Sequence, residues 1–300
     1  MGQTRLRVTK MHGLGNNYIY INEFEQRLEE SALPALAIRL SDVNFGIGSD
    51  GMILIGPSDT ADFRMRIFNS DGSEGRNCGN GLRCVAKYVV ERKMTDKTAF
   101  TIETLGGLME VSVQVREGEA GPDNGGPQVD GVTVNMGAPR LKRRDIPMTG
   151  DPDGEAIDED LVVNGNAYRM TAVSMGNPHA VMFVPDVELI PLTEIGPQIE
   201  HAEMFPERVN VEFVTVRNER EMDFRVWERG SGITQACGTG ACAAVAAGVL
   251  NGYVERDVPV TVHLPGGDLE IVWSSSDNCI YMKGPAAFVL EGEFLLDETL

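Results

Sequence analysis

Met65-Arg66-Ile67-Phe68-Asn69, running on to Cys78-Gly79-Asn80-Gly81, can be laid without a gap on Phe224-Arg225-Val226-Trp227-Glu228, running on to Cys237-Gly238-Thr239-Gly240. The offset is constant at 159, as 237 is from 78 and 228 from 69. In the first copy Phe63, Met65 and Ile67 alternate with Arg64 and Arg66, which predicts a half-buried strand. Beyond Cys78 the apolar positions Leu82, Val85, Ala86 and Val89 recur at helical spacing, so an amphipathic helix opens on the Cys-Gly-Asn-Gly segment. In the second copy Ala241 to Leu250 is apolar nearly all round, as a helix wrapped by its own strands would be, and Asn251-Gly252 ends it. A repeat of this length is domain-sized, not a solenoid unit. The expected fold is α+β: two pseudo-symmetric, strand-rich halves, each with a central buried helix, and an active site in the cleft between them.

Working outward, Arg5 to Lys10 and Tyr18 to Asn22 read as strands about a Gly13-Leu14-Gly15-Asn16 turn, Leu33 to Leu40 as a helix and Gly51 to Ile55 as a buried strand. Strands follow at Ala99 to Glu103 and Leu108 to Val115. Glu117 to Gln128, rich in glycine and proline, is the linker expected between the halves. The second half resumes with strands at Val132 to Met136, Tyr168 to Ser174, Ala180 to Val184, Val209 to Val216 and Met222 to Trp227. Residues 1–128 therefore form the first expected domain, completed by a returning strand within 284–300, and residues 129–283 the second.

Composition narrows the function. The chain has 300 residues, 42% hydrophobic and 24% charged, enough to bury a real core. A net charge of −19 disfavours nucleic-acid and other polyphosphate partners, which need clustered Lys and Arg. No run approaches the roughly 18 apolar residues of a membrane span, and the first residues lack an apolar signal core. Five cysteines are too few, and odd in number, for a secreted disulfide framework, which makes the cytoplasm the expected compartment.

Each repeated cysteine stands just before Gly-x-Gly and a helix. At a helix N-terminus the dipole and free N–H groups stabilise an anion, which lowers a thiol's pKa and provides a cradle for a carboxylate. A buried apolar cysteine beside a glycine turn is the plainer reading of either one alone, but recurrence with the glycines in place argues against it. The spacings Cys78-x5-Cys84 and Cys237-x4-Cys242 lack the pattern of zinc sites, and His12, His179, His201 and His263 are scattered, so no metal is expected. Cys84 and Cys242 read as core residues. A redox dithiol formed by Cys78 and Cys237 stays open as an alternative. Gly46-Ile47-Gly48-Ser49-Asp50-Gly51 matches a dinucleotide fingerprint, but a strand and not a helix follows it, so it reads as a turn. Asn16 and Asn177 lie in glycine-asparagine turns of opposite halves, Asn69 and Glu228 share one repeat position, and Asn210 interrupts a valine-rich strand.

Taken in order, His12-Gly13-Leu14-Gly15-Asn16, Asn69-Ser70-Asp71-Gly72-Ser73-Glu74, Asn77-Cys78-Gly79-Asn80-Gly81-Leu82-Arg83, Met175-Gly176-Asn177-Pro178-His179, Arg208-Val209-Asn210 and Glu228-Arg229-Gly230 through Ala236-Cys237-Gly238-Thr239-Gly240 resemble the diaminopimelate epimerase family of cofactor-independent epimerases and racemases. The resemblance implies that Cys78 and Cys237 exchange the α-proton as acid and base, with His179 and Glu228 tuning them. It also implies that Gly79-Asn80 and Gly238-Thr239 hold the reacting carboxylate, while Asn16, Asn69, Asn177, Asn210, Glu228 and Arg229 bind the rest of the substrate, Arg229 taking the distal carboxylate. No cofactor, a small-molecule substrate and a homodimer are part of the same implication. A proline or hydroxyproline racemase of the same group is the alternative. The chain departs from many members at Asn16-Asn17-Tyr18, where Asn-Asp-Phe is usual, and from some at Asp50-Gly51, where they carry Asp-Gln.

Overall fold

A computed structural model describes residues 4–76, 78–116 and 126–296. The chain divides into two compact units, Met1–Val134 with Gly284–Leu300, and Asn135–Lys283. Of the expected linker, residues 117–125 lie outside the described residues, and Gln128 already opens a strand.

The first unit contains β1 (Thr4–Gly13), β2 (Asn16–Asn22), α1 (Leu33–Ser41), β3 (Gly51–Gly56), β4 (Phe63–Asn69), the short β5 (Glu74–Gly75), α2 (Gly79–Glu91), β6 (Ala99–Thr104), β7 (Gly107–Arg116) and β8 (Gln128–Asn135). The second contains β9 (Glu159–Val163), β10 (Asn166–Ser174), β11 (Pro178–Phe183), α3 (Leu192–Glu200), β12 (Asn210–Asn218), β13 (Glu221–Glu228), the short β14 (Gly232–Ile233), α4 (Gly238–Leu250), β15 (Val260–Leu264), β16 (Gly267–Trp273) and β17 (Ile280–Gly284). Finally β18 (Ala287–Leu296) pairs antiparallel with β1 and so belongs to the first unit.

Strands in the first unit run β18-β1-β2-β3-β4-β6-β7-β8, with β2–β3 and β4–β6 parallel and β5 paired on β4. Those of the second run β9-β10-β11-β12-β13-β15-β16-β17, with β11–β12 and β13–β15 parallel and β14 paired on β13. The helices repeat to the residue: α3 spans 192–200 where α1 spans 33–41, and α4 spans 238–250 where α2 spans 79–91.

Alternation along the strands sorts the side chains onto two helices. Met52 and Leu54 join Leu33, Leu36, Ala37 and Leu40 of α1 in one apolar cluster, with Phe68 among them. Their neighbour Ile53 points the other way, against the first turn of α2 at Gly81. The helix α2 touches β1, β2 and β7, and α4 touches β10, β11, β12 and β16, so each sheet curls round its central helix. Ten of the thirteen residues of α4 are buried, most of them alanine, glycine or valine, and these small side chains let the strands close in. Residues 46–50 are irregular chain with bends leading into β3, and no helix opens on them.

Candidate functional site

Cys78 is the N-cap of α2, held extended at φ −153° and ψ 114°. Its carbonyl accepts the Leu82 N–H at 2.8 Å and its Sγ accepts the Gly81 N–H at 3.4 Å. Facing the sulfur at 3.6 Å is Oδ1 of Asn16, which also accepts from Nδ2 of Asn80 at 3.1 Å. Asp50 sets that orientation: its Oδ2 takes the Asn16 amide at 2.9 Å and the Asn17 N–H at 2.7 Å, leaving the Asn16 carbonyl for the thiol. Behind Asn80 stands Arg83, fully buried, which donates to Asn80 Oδ1 at 2.9 Å and to the Pro285 carbonyl at 3.1 Å. Burial, then the nearby Cys78 and Asp50, drive the Tyr18 hydroxyl far above its ordinary pKa, so it is a neutral phenol. Asn69 ends β4 opposite Gly51 and donates to Ser73 at 3.0 Å across a turn. A Cβ at Gly51 would meet the Phe68 carbonyl at 2.2 Å, so a side chain there would require the strand to shift.

Cys237 caps α4 in the same way, extended at φ −118° and ψ 102°, with its carbonyl accepting the Ala241 N–H at 3.0 Å. Its Sγ lies 3.6 Å from Oγ1 of Thr239, which accepts from Nδ2 of Asn177 at 3.3 Å. Oδ1 of Asn177 is 3.0 Å from Nε2 of His179, whose Nδ1 is 2.6 Å from Oε1 of Glu212. His179 and Glu212 are both fully buried, and Oε2 of Glu212 finds no hydrogen-bond partner among the described residues. Asn210 donates to the Pro178 carbonyl at 2.8 Å and accepts the Arg229 N–H at 2.9 Å. Arg229 Nη1 reaches the Glu207 carbonyl at 2.9 Å, and Glu228 accepts the Thr234 hydroxyl. The buried carboxylate of Glu200, at the end of α3, braces this turn by accepting Trp227 Nε1 at 2.7 Å and the Gly230 N–H at 3.1 Å.

A helix N-terminus was expected to depress both thiols, yet Cys237 is pushed well above its ordinary value. Burial is the main cause and the carboxylates of Glu228 and Glu212 add to it, while the Thr239 hydroxyl and the Gly240 N–H oppose it. Burial therefore favours the thiol form of Cys237. Glu212 is raised too, by burial, against the opposing pull of His179.

Strand register extends the repeat to residues that the two cysteine segments do not cover. Met52 pairs with Ile19 and Val211 with Ala180, which puts His179 where the first unit has Tyr18, and Asn177 where it has Asn16. By the same register Glu212 stands where the first unit has Ile53. A Cβ on Gly81 would lie 2.8 Å from Cδ1 of Ile53, and one on Gly240 would lie 3.0 Å from Oε1 of Glu212 and 3.2 Å from Cys237 Sγ. Around Cys78 the structure gathers Asn16, Gly79 and Asn80; around Cys237 it gathers Asn177, His179, Gly238 and Thr239. Asn210, Glu228 and Arg229 form an adjoining cluster in the second unit. Glu200 and Glu212 lie in no motif, and the motifs that contain Asp50 and Arg83 assign them no role. For Glu212, the contrast of Ile53 with a carboxylate at the same repeat position is the signal that finds it. Among the described residues no group of three or more His, Cys, Asp or Glu could hold a metal ion, and no helix is long and apolar enough to cross a membrane.

The model of the diaminopimelate epimerase family matches residues 8–142 and 171–289. The chain is 59% identical over 290 residues to a diaminopimelate epimerase of Bacillus licheniformis, covering 97% of this chain and 98% of that one. It is 57% identical over 286 residues to a diaminopimelate epimerase of Bacillus cereus, covering 95% and 96%. Among solved structures, a phenazine biosynthesis protein of the PhzF family from Bacillus anthracis superposes with a TM-score of 0.69 at 19% identity, covering 98% of this chain and 100% of that one. A hydroxyproline epimerase from Agrobacterium vitis, with trans-4-hydroxy-L-proline bound, gives a TM-score of 0.68 at 16% identity, covering 100% and 94%. Those two likenesses show the fold.

Proposed function

Since the chain belongs to the diaminopimelate epimerase family, we propose that it is an isomerase interconverting LL- and meso-diaminopimelate, with Cys78 and Cys237 moving the α-proton and no pyridoxal cofactor taking part. The observation that carries this reading is the duplicated thiol: two cysteines cap equivalent helices of a repeated scaffold, each with its own glycine and asparagine or threonine in the first helical turn.

Inverting a carbon centre removes a proton from one face and returns one to the other. A single base tends to restore the original configuration, so two groups are needed, one ionised and one protonated, and they exchange roles with direction. Burial favours the thiol form of Cys237, so Cys78 is the base in the direction in which Cys237 supplies the proton. The α-proton is weakly acidic, and the N–H groups of Gly79-Asn80 and Gly238-Thr239 at the helix starts hold the carboxylate onto which carbanion charge spreads. Asn16, held by Asp50, and Asn177, held by His179, flank the two thiols as fixed dipoles. Asn69, Asn210, Glu228 and Arg229 take the remainder of the substrate, Arg229 pairing with its distal carboxylate. Glu228 adds to the charge that keeps Cys237 protonated. A reaction that requires reduced thiols fits a reducing cytoplasm, and the apolar Val289, Leu290 and Leu295 exposed on β18 are consistent with a homodimer.

Incubation with LL-diaminopimelate in deuterated buffer under reducing conditions tests the reaction. Deuterium should enter the α-position as the meso isomer forms. Cys78→Ala and Cys237→Ala should each reduce inversion by at least about a thousandfold, in line with losing an essential proton-transfer group. Near-normal turnover in either variant, or exchange on proline with none on diaminopimelate, would reject the reading. A protein that changes redox state but exchanges no α-proton would be a thiol-redox protein instead.

A further inference from the structure

The two halves differ most behind their thiols. Beneath the first turn of α2 the scaffold places Tyr18 and Ile53, a phenol and a hydrocarbon, whereas beneath α4 it places His179 and Glu212 at the same positions. A carboxylate in the middle of a sheet is costly to bury, and here one of its oxygens has no partner among the described residues. Its other oxygen holds the histidine ring at 2.6 Å.

The hydrogen bonds leading from that ring have a fixed sense. Nε2 of His179 faces the carbonyl oxygen of Asn177, which only accepts, so Nε2 must carry a proton. Asn177 then donates its amide to Thr239 Oγ1, and with that lone pair taken the Thr239 hydroxyl is free to donate to Cys237 Sγ. Each donor in the chain points toward the sulfur. Such a chain favours the thiolate that Cys237 becomes once it has given up its proton. Glu212 anchors the chain: with Nε2 protonated, Nδ1 of the neutral ring can only accept, so the buried Glu212 side chain is the protonated acid that donates to it, whereas an ionised carboxylate would draw the proton to Nδ1.

We propose that Glu212 is a positioning residue of the epimerase reaction, acting on Cys237 through His179, Asn177 and Thr239. This deepens the proposed function and rests on it for the identity of the reaction. Glu212 touches no substrate; its effect reaches the sulfur only through the Thr239 hydroxyl.

A double-mutant cycle on the diaminopimelate exchange tests this. Glu212→Ile, which installs the residue of the other half, should lower kcat about tenfold with KM within about twofold, the size expected for losing one hydrogen bond to a charged group. Thr239→Val should cost about as much, and the double variant no more than the worse single. Glu212→Gln, whose amide can donate to Nδ1, should keep kcat within about threefold. Losses that multiply to about a hundredfold in the double variant, or a change confined to KM, would overturn the proposal. Nitrogen-15 spectra of the His179 ring provide a readout that needs no activity. Nε2 should carry the proton in the wild type and in Glu212→Gln; a proton on Nδ1 with Nε2 bare, in either protein, overturns the proposal even if Glu212→Ile fails to fold. Absence of exchange in the wild type would reject the reaction while leaving the ring spectra to decide the role of Glu212.

Discussion

At the scale of single residues, specificity and chemistry are held by side chains of different kinds. The cysteines and their glycines are legible in the sequence, because the chemistry needs them in a fixed order on one helix start. The groups that aim them are not: Arg83 stands in the Cys78 motif and Asp50 before β3 with no role visible in sequence, while Glu200 and Glu212 come from distant segments and carry no local pattern. A lone glutamate in the valine-rich β12 reads as a solvent-facing position until the fold shows it buried. Glu200 illustrates how such a group would act on binding. It braces the Trp227–Gly230 turn that carries Arg229, so Glu200→Gln should raise KM for diaminopimelate about five- to tenfold while kcat stays within about threefold, the loss of one charge-assisted bond. Steady-state kinetics measure this directly, and an unchanged KM would separate Glu200 from substrate binding.

At the scale of elements, the repeat compensates volume for volume. The first unit packs Ala37 of α1 in the same cluster as Phe68, while the second places Gly196 of α3 against Trp227. A Cβ on Gly196 would lie 2.5 Å from the indole, so the larger aromatic needs the smaller helix residue. Gly196→Ala should therefore destabilise the fold by about 1–3 kcal/mol in urea denaturation, despite alanine's better helix propensity. Adding Trp227→Phe, which restores the pairing of the first unit, should recover much of the steric loss; simple addition of the two losses would refute the compensation. The same element shows where sequence reading stops. Leu192–Glu200 contains Gly196 and Pro197, which read as breakers, so α3 is visible only as the counterpart of α1. Strands β15 and β16 do alternate, with Val260, Val262 and Leu264 and then Leu269, Ile271 and Trp273 on one face, whereas the five residues of β9 are too few to separate it from a loop. The helices α2 and α4 were legible because a strong apolar period or a long apolar run begins at a motif.

At the scale of the whole molecule, stability should be bounded by pH on both sides. The buried Cys84 thiol is pushed up to about 12, and Cys237 well above 9.0. Groups raised on folding stabilise the protein fully below the unfolded value, near 9.0, and lose that contribution as the pH climbs toward the folded one, at about 1.4 kcal/mol per pH interval for each thiol. Asp62, Asp71 and Asp277, tied by hydrogen bonds, lie below their ordinary 3.8. Their contribution is present above 3.8 and disappears as the pH falls through their lower folded values. The melting temperature should thus fall below about pH 4 and above about pH 9, with a further loss between them as the pH rises past 4.5 and the raised Glu212 carboxyl is forced to ionise, and Cys84→Ala should make the alkaline fall shallower. A melting temperature still level at pH 11 would contradict the burial of these thiols.

The pairing of β1 with β18 also has a consequence in time. Synthesis proceeds from β1 toward β18, so Asn135–Lys283 can assemble all its own strands while the chain is still emerging. The unit begun first must wait, with one edge of β1 unmatched, until residues 287–296 have left the ribosome. The half that is made earliest is the half that is finished last, and through that interval one strand edge stays open.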